Sequence, residues 1–283
     1  MHPMMHPMPL YDLHSHTTHS DGTLTPVELV QRAKHAGVGA LALTDHDVTS
    51  GLDEAATEAA RVGLDLIHGV EVSVTWEGTT IHVVGLRVDR GNDALQTGLS
   101  QLREFRAWRA EEIGRRLERA GISGAYDGAR TRAKGMLISR THFGRFLVEE
   151  RHARDMGAAF RHYLGNGKPG YVPGQWASLP DAVGWISNAG GHAVIAHPAR
   201  YKLGTGRLKR LFNEFREAGG EAIEVVSGSH SKDDCLRFGR YANEFGFHAS
   251  CGSDYHGPET PWVELGRLAP LPPACQPVWR LWE

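Results

Sequence analysis

Asp12-Leu-His-Ser-His-Thr-Thr-His-Ser-Asp-Gly22 is the most informative stretch of this sequence. It continues a β-rich run that begins at Tyr11, so we predict a strand over residues 11–16. Residues two apart in a strand point to the same face, and the imidazoles of His14 and His16 can therefore reach one cation. The run thus predicts a strand that carries metal ligands.

The rest of the chain alternates β-rich runs with amphipathic helices, which is typical of a sheet built from βα units. This alternation stops after Asp93. There Leu99 to Ala120 predicts a long helix rich in Arg and Glu, which we expect to present a solvated face with i,i+4 ion pairs, and helical stretches follow near 140–150 and 154–164. We predict an α/β fold, a barrel of βα units interrupted by a helical insertion. The predicted boundaries are 1–98 and 179–283 for the barrel and 99–178 for the insertion.

His, Asp and Glu residues follow the predicted strands, and His82 lies in one of them. The carboxyl ends of the strands in a βα barrel face one side, so these side chains should converge on one pocket. Imidazoles and carboxylates without a thiolate suit Mn²⁺, Zn²⁺ or Fe²⁺ better than Ca²⁺ or a lone Mg²⁺. The candidate ligands are enough for two or three ions. Besides His82, they lie in Asp12–His16, Ser20–Gly22, Thr44–Asp47, Gly69–Glu71, Ala196–Pro198 and Ser253–His256.

Composition narrows the class of protein. The formal net charge of −2 provides no global basic field for long nucleic acid. Three cysteines without paired spacing argue against disulfides and fit a reducing compartment, so we expect a cytoplasmic protein. No apolar run approaches the roughly 18 residues that a membrane span needs. Residues 1–9, which include His2 and His6, lack the pattern of a signal peptide, and we expect them to be a flexible end of the chain. Nothing in the sequence sets the oligomeric state.

Five strings, DLHSHTTHSDG, LTDHD, GVE, AHP and GSDYH, resemble the successive motifs of the PHP (polymerase and histidinol phosphatase) domain. The resemblance implies a distorted seven-stranded βα barrel that holds three metal ions, with Mn²⁺ expected and Zn²⁺ or Fe²⁺ as alternatives. It implies one ion among His14, His16, Glu71 and Asp254. The second ion would lie among Glu71, His82 and His197. The third would lie among Asp21, His46 and His256.

The insertion is similar to that of a PHP branch that contains small-nucleotide phosphatases and 5′-to-3′ nucleases. The resemblance implies a phosphomonoesterase that removes the 3′-phosphate of nucleoside 3′,5′-bisphosphates, with a metal-bridging hydroxide as the nucleophile. A 5′-to-3′ exoribonuclease that acts on short RNA is the alternative. A non-catalytic nucleotide- or metal-sensing module and an amidohydrolase also fit parts of the pattern.

Arginines are candidates for holding the substrate phosphate, because a guanidinium group matches phosphate bidentately. Arg140 follows Ser139 and precedes His142, and Arg200 follows the predicted ligand His197 by three residues. We therefore expect substrate contacts from Ser139, Arg140, His142 and Arg200. Two aromatic residues of the insertion are candidates for stacking on a base: Tyr171 and Trp176.

Several polar residues near the motifs have two interpretations each. His230 follows a core strand, and we expect a substrate contact or proton donation to the leaving group. Asp45 and Asp47 are equally suited to orienting an imidazole and to capping a helix. Asp21 lies in a turn-forming Ser-Asp-Gly sequence, although we favour a ligand. His19 is expected to face solvent or to support the ligands from behind.

Overall fold

The computed structural model describes residues 9–283, so His2 and His6 lie outside the described residues. Seven strands form one sheet in which each strand pairs with the next along the chain. The strands are β1 Tyr11–Asp12, β2 Ala40–Leu43, β3 Asp65–Trp76, β4 Thr79–Leu86, β5 His192–Ile195, β6 Ala222–Ser227 and β7 His248–Gly252.

Helices cover the outside of the sheet and build the insertion. They are α1 Pro26–His35, α2 Leu52–Val62, α3 Asp93–Arg119, α4 Ala125–Arg132, α5 Arg140–Glu149, α6 Met156–Ala159, α7 Leu179–Asn188, α8 Thr205–Glu217 and α9 Lys232–Phe245. A π-helical turn, Phe160–Leu164, follows α6, and a 3₁₀ turn, Pro198–Tyr201, follows β5. Along residues 9–283 no helix is both long and apolar enough to cross a membrane.

Local sequence explains where the elements begin and which faces they bury. Thr25 caps α1 in a capping box with Glu28, and Pro26 takes the first helical position, where no backbone donor is needed. Strand β2 reads Ala-Leu-Ala-Leu and is buried at every residue, because helices cover one face and the barrel interior covers the other.

The sheet closes almost into a barrel. Strand β4 is antiparallel to β3 and β5, whereas the other neighbouring strands are parallel. Leu13 N donates to Cys251 O at 2.9 Å, and Ser15 bridges to Tyr255, so the last strand lies beside the first. The predicted distorted seven-stranded α/β barrel is confirmed. Strand β1 is shorter than predicted, and His14 and His16 lie just beyond its end.

The insertion has a hydrophobic core of its own, which runs from Ala110 to Val172 and includes Phe143 and Leu147. The first half of α3 packs instead on the barrel core through Leu95, Leu99 and Leu102. Helix α4 lies between two predicted helices, at a place where no helix was predicted. The predicted solvated face of α3 is wrong for Arg106 and Arg109, which are both buried. They face the barrel mouth, which α3 crosses.

Candidate metal centre

The nine predicted ligands come together at the mouth of the barrel. His14, His16 and Asp21 follow β1, and His46 follows β2. The others lie in or after later strands: Glu71 in β3, His82 in β4, His197 after β5, and Asp254 and His256 after β7. Each of the nine belongs to at least one group of donor atoms that all lie within 4.8 Å of one another. Residues up to 242 positions apart in the chain therefore share one site.

The first group contains His14, His16, Glu71 and Asp254. Nε2 of His14 lies 3.1 Å from Nε2 of His16, 3.3 Å from Oε2 of Glu71 and 3.5 Å from Oδ1 of Asp254. Nε2 of His16 lies 3.3 Å from each of the same two oxygens. Ligands about 2.1 Å from a tetrahedral ion are separated by about 3.4 Å, so these spacings fit one cation.

The second group uses the other oxygen of Glu71. Its Oε1 lies 2.9 Å from Nδ1 of His82 and 3.0 Å from Nε2 of His197. Burial lowers the pKa of His197 to about 4, which keeps the ring in the neutral form that a ligand needs. Glu71 is fully buried, and each of its two oxygens faces a different group of histidines, so it would contribute to both groups.

The third group contains Asp21, His46 and His256. Oδ1 of Asp21 lies 3.3 Å from Nε2 of His256 and 3.8 Å from Nε2 of His46. His46 also reaches the first two groups, because its Nδ1 lies 2.9 Å from Oε2 of Glu71. Asp21 and His256 therefore belong to the third group alone, whereas His46 can also contribute to the groups that contain Glu71.

Unpartnered oxygens point into these groups. Asp21 Oδ1, Glu71 Oε2 and Asp254 Oδ1 are buried and have no hydrogen-bond partner anywhere in the described chain. A buried carboxylate oxygen without a donor is unfavourable unless a cation or a protonated group faces it. The donor set, the spacings and these three oxygens together fit divalent cations.

The charges of the groups shift one another's pKa. Burial lowers the pKa of His14, but the charges of Glu224, Glu71 and Asp254 outweigh burial and raise it well above its usual value. Burial also lowers the pKa of His16, but its contacts with Asp254 and Glu71 outweigh burial and raise the pKa to about 10. Burial raises the pKa of Glu71, but the facing histidines hold it well below its usual value. The site therefore has a negative potential that favours bound positive charge.

Two of the predicted ligands lie on strained backbone. His197 has φ 28° and Asp254 has φ 56°, both in the left-handed region that non-glycine residues rarely adopt. Each such residue costs about 1–3 kcal/mol, and such strain is concentrated at functional sites. Each is the second residue after its strand, so the turn at the end of the strand places each side chain at the barrel mouth.

Glu224 was not predicted from the sequence, and it forms hydrogen bonds with two of the predicted ligands. It lies in β6, is buried, and accepts from Nδ1 of His14 and from the backbone N–H of His197, both at 2.5 Å. A carboxylate behind a ligating histidine fixes its ring orientation and tautomer. A lone Glu in the apolar run Ala222–Ser227 was the signal that could have found it, since a buried carboxylate needs partners.

The residues around His46 have structural partners. Asp45 accepts from Thr17 N at 2.8 Å and from Ser20 Oγ at 2.5 Å, so it holds the loop after β1. Asp47 pairs with Arg106 at 2.6 Å. Neither of the two expected roles, orienting an imidazole or capping a helix, describes these contacts. His19 contacts Ser50 near the surface, with 2.7 Å between Nδ1 and Oγ.

The predicted substrate residues divide into two sets. A cavity at the barrel mouth is lined by seven of the nine predicted ligands and by residues of the insertion, among them Ser139 and Arg140. The Arg140 guanidinium lies 5.6 Å from the centre of the Phe160 ring, without an ion-pair partner in residues 9–283. Arg200 lines the cavity too, half exposed and paired with Oδ2 of Asp254. His142 is buried outside the cavity lining and accepts from Ser139 N at 3.0 Å as part of the α5 cap.

His230 lies away from the cavity, contrary to the expected catalytic contact. Its Nδ1 donates to Val225 O at 3.0 Å, its Nε2 faces Ala199 N at 3.5 Å, and its ring stacks on Phe238. Both ring nitrogens therefore face backbone groups, and the residue supports the 3₁₀ turn after β5. Tyr171 is likewise absent from the cavity lining.

Two arginines of α3 join Arg140 at the cavity. Arg106 bonds to Asp47 and, at 2.8 Å, to Ser73 Oγ, and Arg109 bonds to Val172 O at 3.0 Å. Their guanidinium groups lie 4.9 and 5.3 Å from the centre of the Trp176 ring. Burial, together with the charges of Arg140 and Arg106, lowers the pKa of Arg109 to about 9. This crowding of positive charge favours an anion.

The PHP domain family matches residues 12–152. A 3′,5′-nucleoside bisphosphate phosphatase of Chromobacterium violaceum is 52% identical over 270 residues, which are 95% of this chain and 95% of that protein. The 5′-3′ exoribonuclease Rnm of Escherichia coli is 47% identical over 276 residues, which are 97% of this chain and 94% of that protein.

Solved structures share the same fold. An amidohydrolase from Chromobacterium violaceum, solved with bound sulfate and no metal, is 52% identical with a TM-score of 0.93, over 96% of this chain and 95% of that one. A protein from Bifidobacterium adolescentis assigned as a metal-dependent phosphoesterase is 25% identical with a TM-score of 0.80, over 97% and 95% of the two chains.

Proposed function

The chain belongs to the PHP domain family, and we propose that it is a metal-dependent phosphoesterase that removes the 3′-phosphate of nucleoside 3′,5′-bisphosphates. One observation carries the proposal: a cavity of about 260 Å³ is lined both by residues of the predicted cation-binding groups and by Arg106, Arg109 and Arg140. A substrate with two phosphates could engage both sets of residues.

The histidine and carboxylate groups would hold two or three divalent ions. Mn²⁺ is the proposed ion, with Zn²⁺ or Fe²⁺ as alternatives, because the donors are imidazole nitrogens and carboxylate oxygens without a thiolate. Bound divalent ions supply a water of lowered pKa as the nucleophile and neutralise the oxygens of the reacting phosphate. The chain itself fixes the geometry: Glu71 spans two groups, and Glu224 orients His14.

The arginines would hold the second phosphate. Arg106, Arg109 and Arg140 repel one another, and among the three only Arg106 has an ion-pair partner in residues 9–283, namely Asp47. A phosphate with close to two negative charges would relieve the remaining repulsion. Bidentate guanidinium contacts also fix the orientation of the phosphate. The sulfate bound in the Chromobacterium violaceum structure is an anion of the same shape. Trp176 would act as the platform for Arg106 and Arg109 rather than as a free surface for a base.

A 5′-3′ exoribonuclease is the second candidate function. A cleft of about 1040 Å³ extends past Asp254 and His256, between the insertion and the loop that follows β7. Lys134 and Arg145 line it, and so does Trp262, whose side chain is 77% exposed. This cleft would accommodate nucleotides attached beyond the reacting phosphate, and the exposed Trp262 ring would be available for stacking on a base. Short RNA and small nucleotides are therefore both proposed substrates, and the expected cytoplasmic location remains a prediction.

A non-catalytic sensing module and an amidohydrolase are less well supported by the site. A sensing module does not require a complete set of nine donors or a buried bridging carboxylate. An amidohydrolase, the description carried by one structural relative, would not need Arg106, Arg109 and Arg140 clustered at the cavity. Phosphate esters account for both features.

The test compares two products with Mn²⁺ present. Wild-type protein should release inorganic phosphate from adenosine 3′,5′-bisphosphate, whereas an exoribonuclease should also release mononucleotides from a 5′-phosphorylated RNA oligomer. His14→Ala should abolish both activities, because it removes a donor from the first group. Absence of both products, with metal content verified on the same sample, would refute the proposal.

A further inference from the structure

The start of α5 holds the predicted ligand Asp21. Thr141 Oγ1 donates to Oδ2 of Asp21 at 2.9 Å, and Ser139 Oγ donates to the same oxygen at 3.2 Å. Arg145 Nη2 donates to the backbone oxygen of Asp21 at 2.9 Å. Three contacts from the insertion therefore converge on one barrel residue, whose side chain is 5% exposed.

We propose that Thr141 and Ser139 are positioning residues for the third cation, so that the insertion completes a metal site of the barrel. The proposal rests on the proposed function, because it takes Asp21 as a ligand. With Oδ2 occupied by two hydroxyl donors, Oδ1 is directed at His256, 3.3 Å away. A carboxylate held in this way loses no rotational freedom when it binds an ion.

The barrel alone does not hold Asp21 in this orientation. Asp21 lies in the loop after β1, and its Oδ1 has no donor in the described part of the chain. The loop itself packs closely: the position of Gly22 lies against the backbone of His16 and Thr17 and leaves no room for a Cβ. The loop backbone is thus packed by the barrel, with one added hydrogen bond from Arg145, whereas both hydroxyl donors to the carboxylate come from the insertion.

The same turn carries Arg140. Ser139 caps α5, and Arg140 is the first residue of that helix, so the guanidinium group and the donors to Asp21 share one rigid segment. Loss of the donors should therefore affect the third ion first, and only secondarily the contact with substrate. A simple packing role predicts a different result, namely a lower melting temperature with all ions retained.

Thr141→Val tests the proposal, because it keeps the shape of the side chain and removes the hydroxyl group. Mn²⁺ binding to the metal-free protein is measured by titration and elemental analysis, independently of hydrolysis. We expect two ions to bind as tightly as they do in the wild type. The third ion should bind about 10–100-fold more weakly than in the wild type, which is the usual effect of removing a hydrogen bond to a metal ligand. Thr141→Ser should bind all ions as the wild type does.

Thr57→Val is the matched control, since Thr57 Oγ1 bonds only to the α2 backbone, at Asp53 O. The proposal would be overturned if Thr141→Val bound the third ion with an affinity within twofold of the wild type. It would also be overturned if the affinity for every ion fell equally, or if Thr141→Ser did not restore binding of the third ion. If the wild-type protein binds three ions but hydrolyses neither substrate, the proposed function fails while the positioning role stands.

Discussion

Glu224→Gln is the most informative substitution for the metal centre. Glu224 accepts two hydrogen bonds, one from the backbone N–H of His197 and one from Nδ1 of His14. A glutamine has one accepting oxygen, and the backbone N–H of His197 can only donate, so that oxygen must face His197. The amide NH₂ group then faces Nδ1 of His14.

The consequence is a change of tautomer. An imidazole nitrogen that faces a donor must itself accept, so the proton of His14 moves to Nε2. Nε2 is the atom that lies 3.3 Å from Glu71 and 3.5 Å from Asp254, and with a proton it cannot bind a cation. We expect Mn²⁺ affinity at the first group to fall about 10–100-fold, which is about 1.4–2.7 kcal/mol.

The assay is Mn²⁺ titration of the metal-free protein against a competing chelator, with a parallel titration of phosphate release. Glu221→Gln is the control, because Glu221 lies just before the same strand and its carboxylate pairs with the ring of His192, at 2.9 Å, rather than with a predicted ligand. Affinity within twofold of the wild type for Glu224→Gln would refute the tautomer argument. A weakened Glu221→Gln protein would show that the assay reports general destabilisation.

Three further substitutions separate the roles of other residues. Arg140→Ala should raise KM for adenosine 3′,5′-bisphosphate about 10- to 150-fold, which is the effect of losing one charge-assisted hydrogen bond. KM for a nucleoside 3′-monophosphate should stay within about threefold of the wild-type value. Equal changes in the two KM values would argue against a contact between Arg140 and the second phosphate. His230→Asn should leave kcat within about threefold, because its ring nitrogens face backbone groups, and a loss of more than about 100-fold would restore a catalytic role. Phe143→Ala should lower the free energy of unfolding by about 3–5 kcal/mol in denaturant titrations, because the ring is fully buried in the insertion core; a cost below about 1 kcal/mol would show that this core is loosely packed.

Sequence reasoning predicted the barrel and the convergence of the candidate ligands for the same physical reason. Strand ends in a βα barrel converge, so donors far apart in sequence can be assigned to one site before any coordinates exist. His14 and Asp254 were predicted in this way, and they lie 3.5 Å apart between Nε2 and Oδ1. The antiparallel direction of β4 was not predicted, because hydrophobic periodicity carries no information on strand direction.

The arginines of α3 were misassigned because periodicity does not show what an amphipathic helix faces. Arg106 and Arg109 are three residues apart and lie on one face, a spacing that fits solvent and a polar cavity equally well. Only the packing of α3 across the barrel mouth distinguishes them from Arg115 and Arg116, which form the expected surface ion pairs with Glu112.

The side chain of Trp176 connects the two halves of the cavity. Its ring lies against the guanidinium groups of Arg106 and Arg109, and its Nε1 donates to Thr80 Oγ1 in β4 at 3.2 Å. The same strand carries His82, two residues further on, whose ring nitrogen faces Glu71. Trp176 and the predicted ligand His82 are therefore held by the same strand, so Arg106 and Arg109 keep a fixed position relative to the predicted cation groups. Under the proposed function, we expect a bisphosphate whose two phosphates match that separation to bind more tightly than a monophosphate, which can contact only one of the two sets.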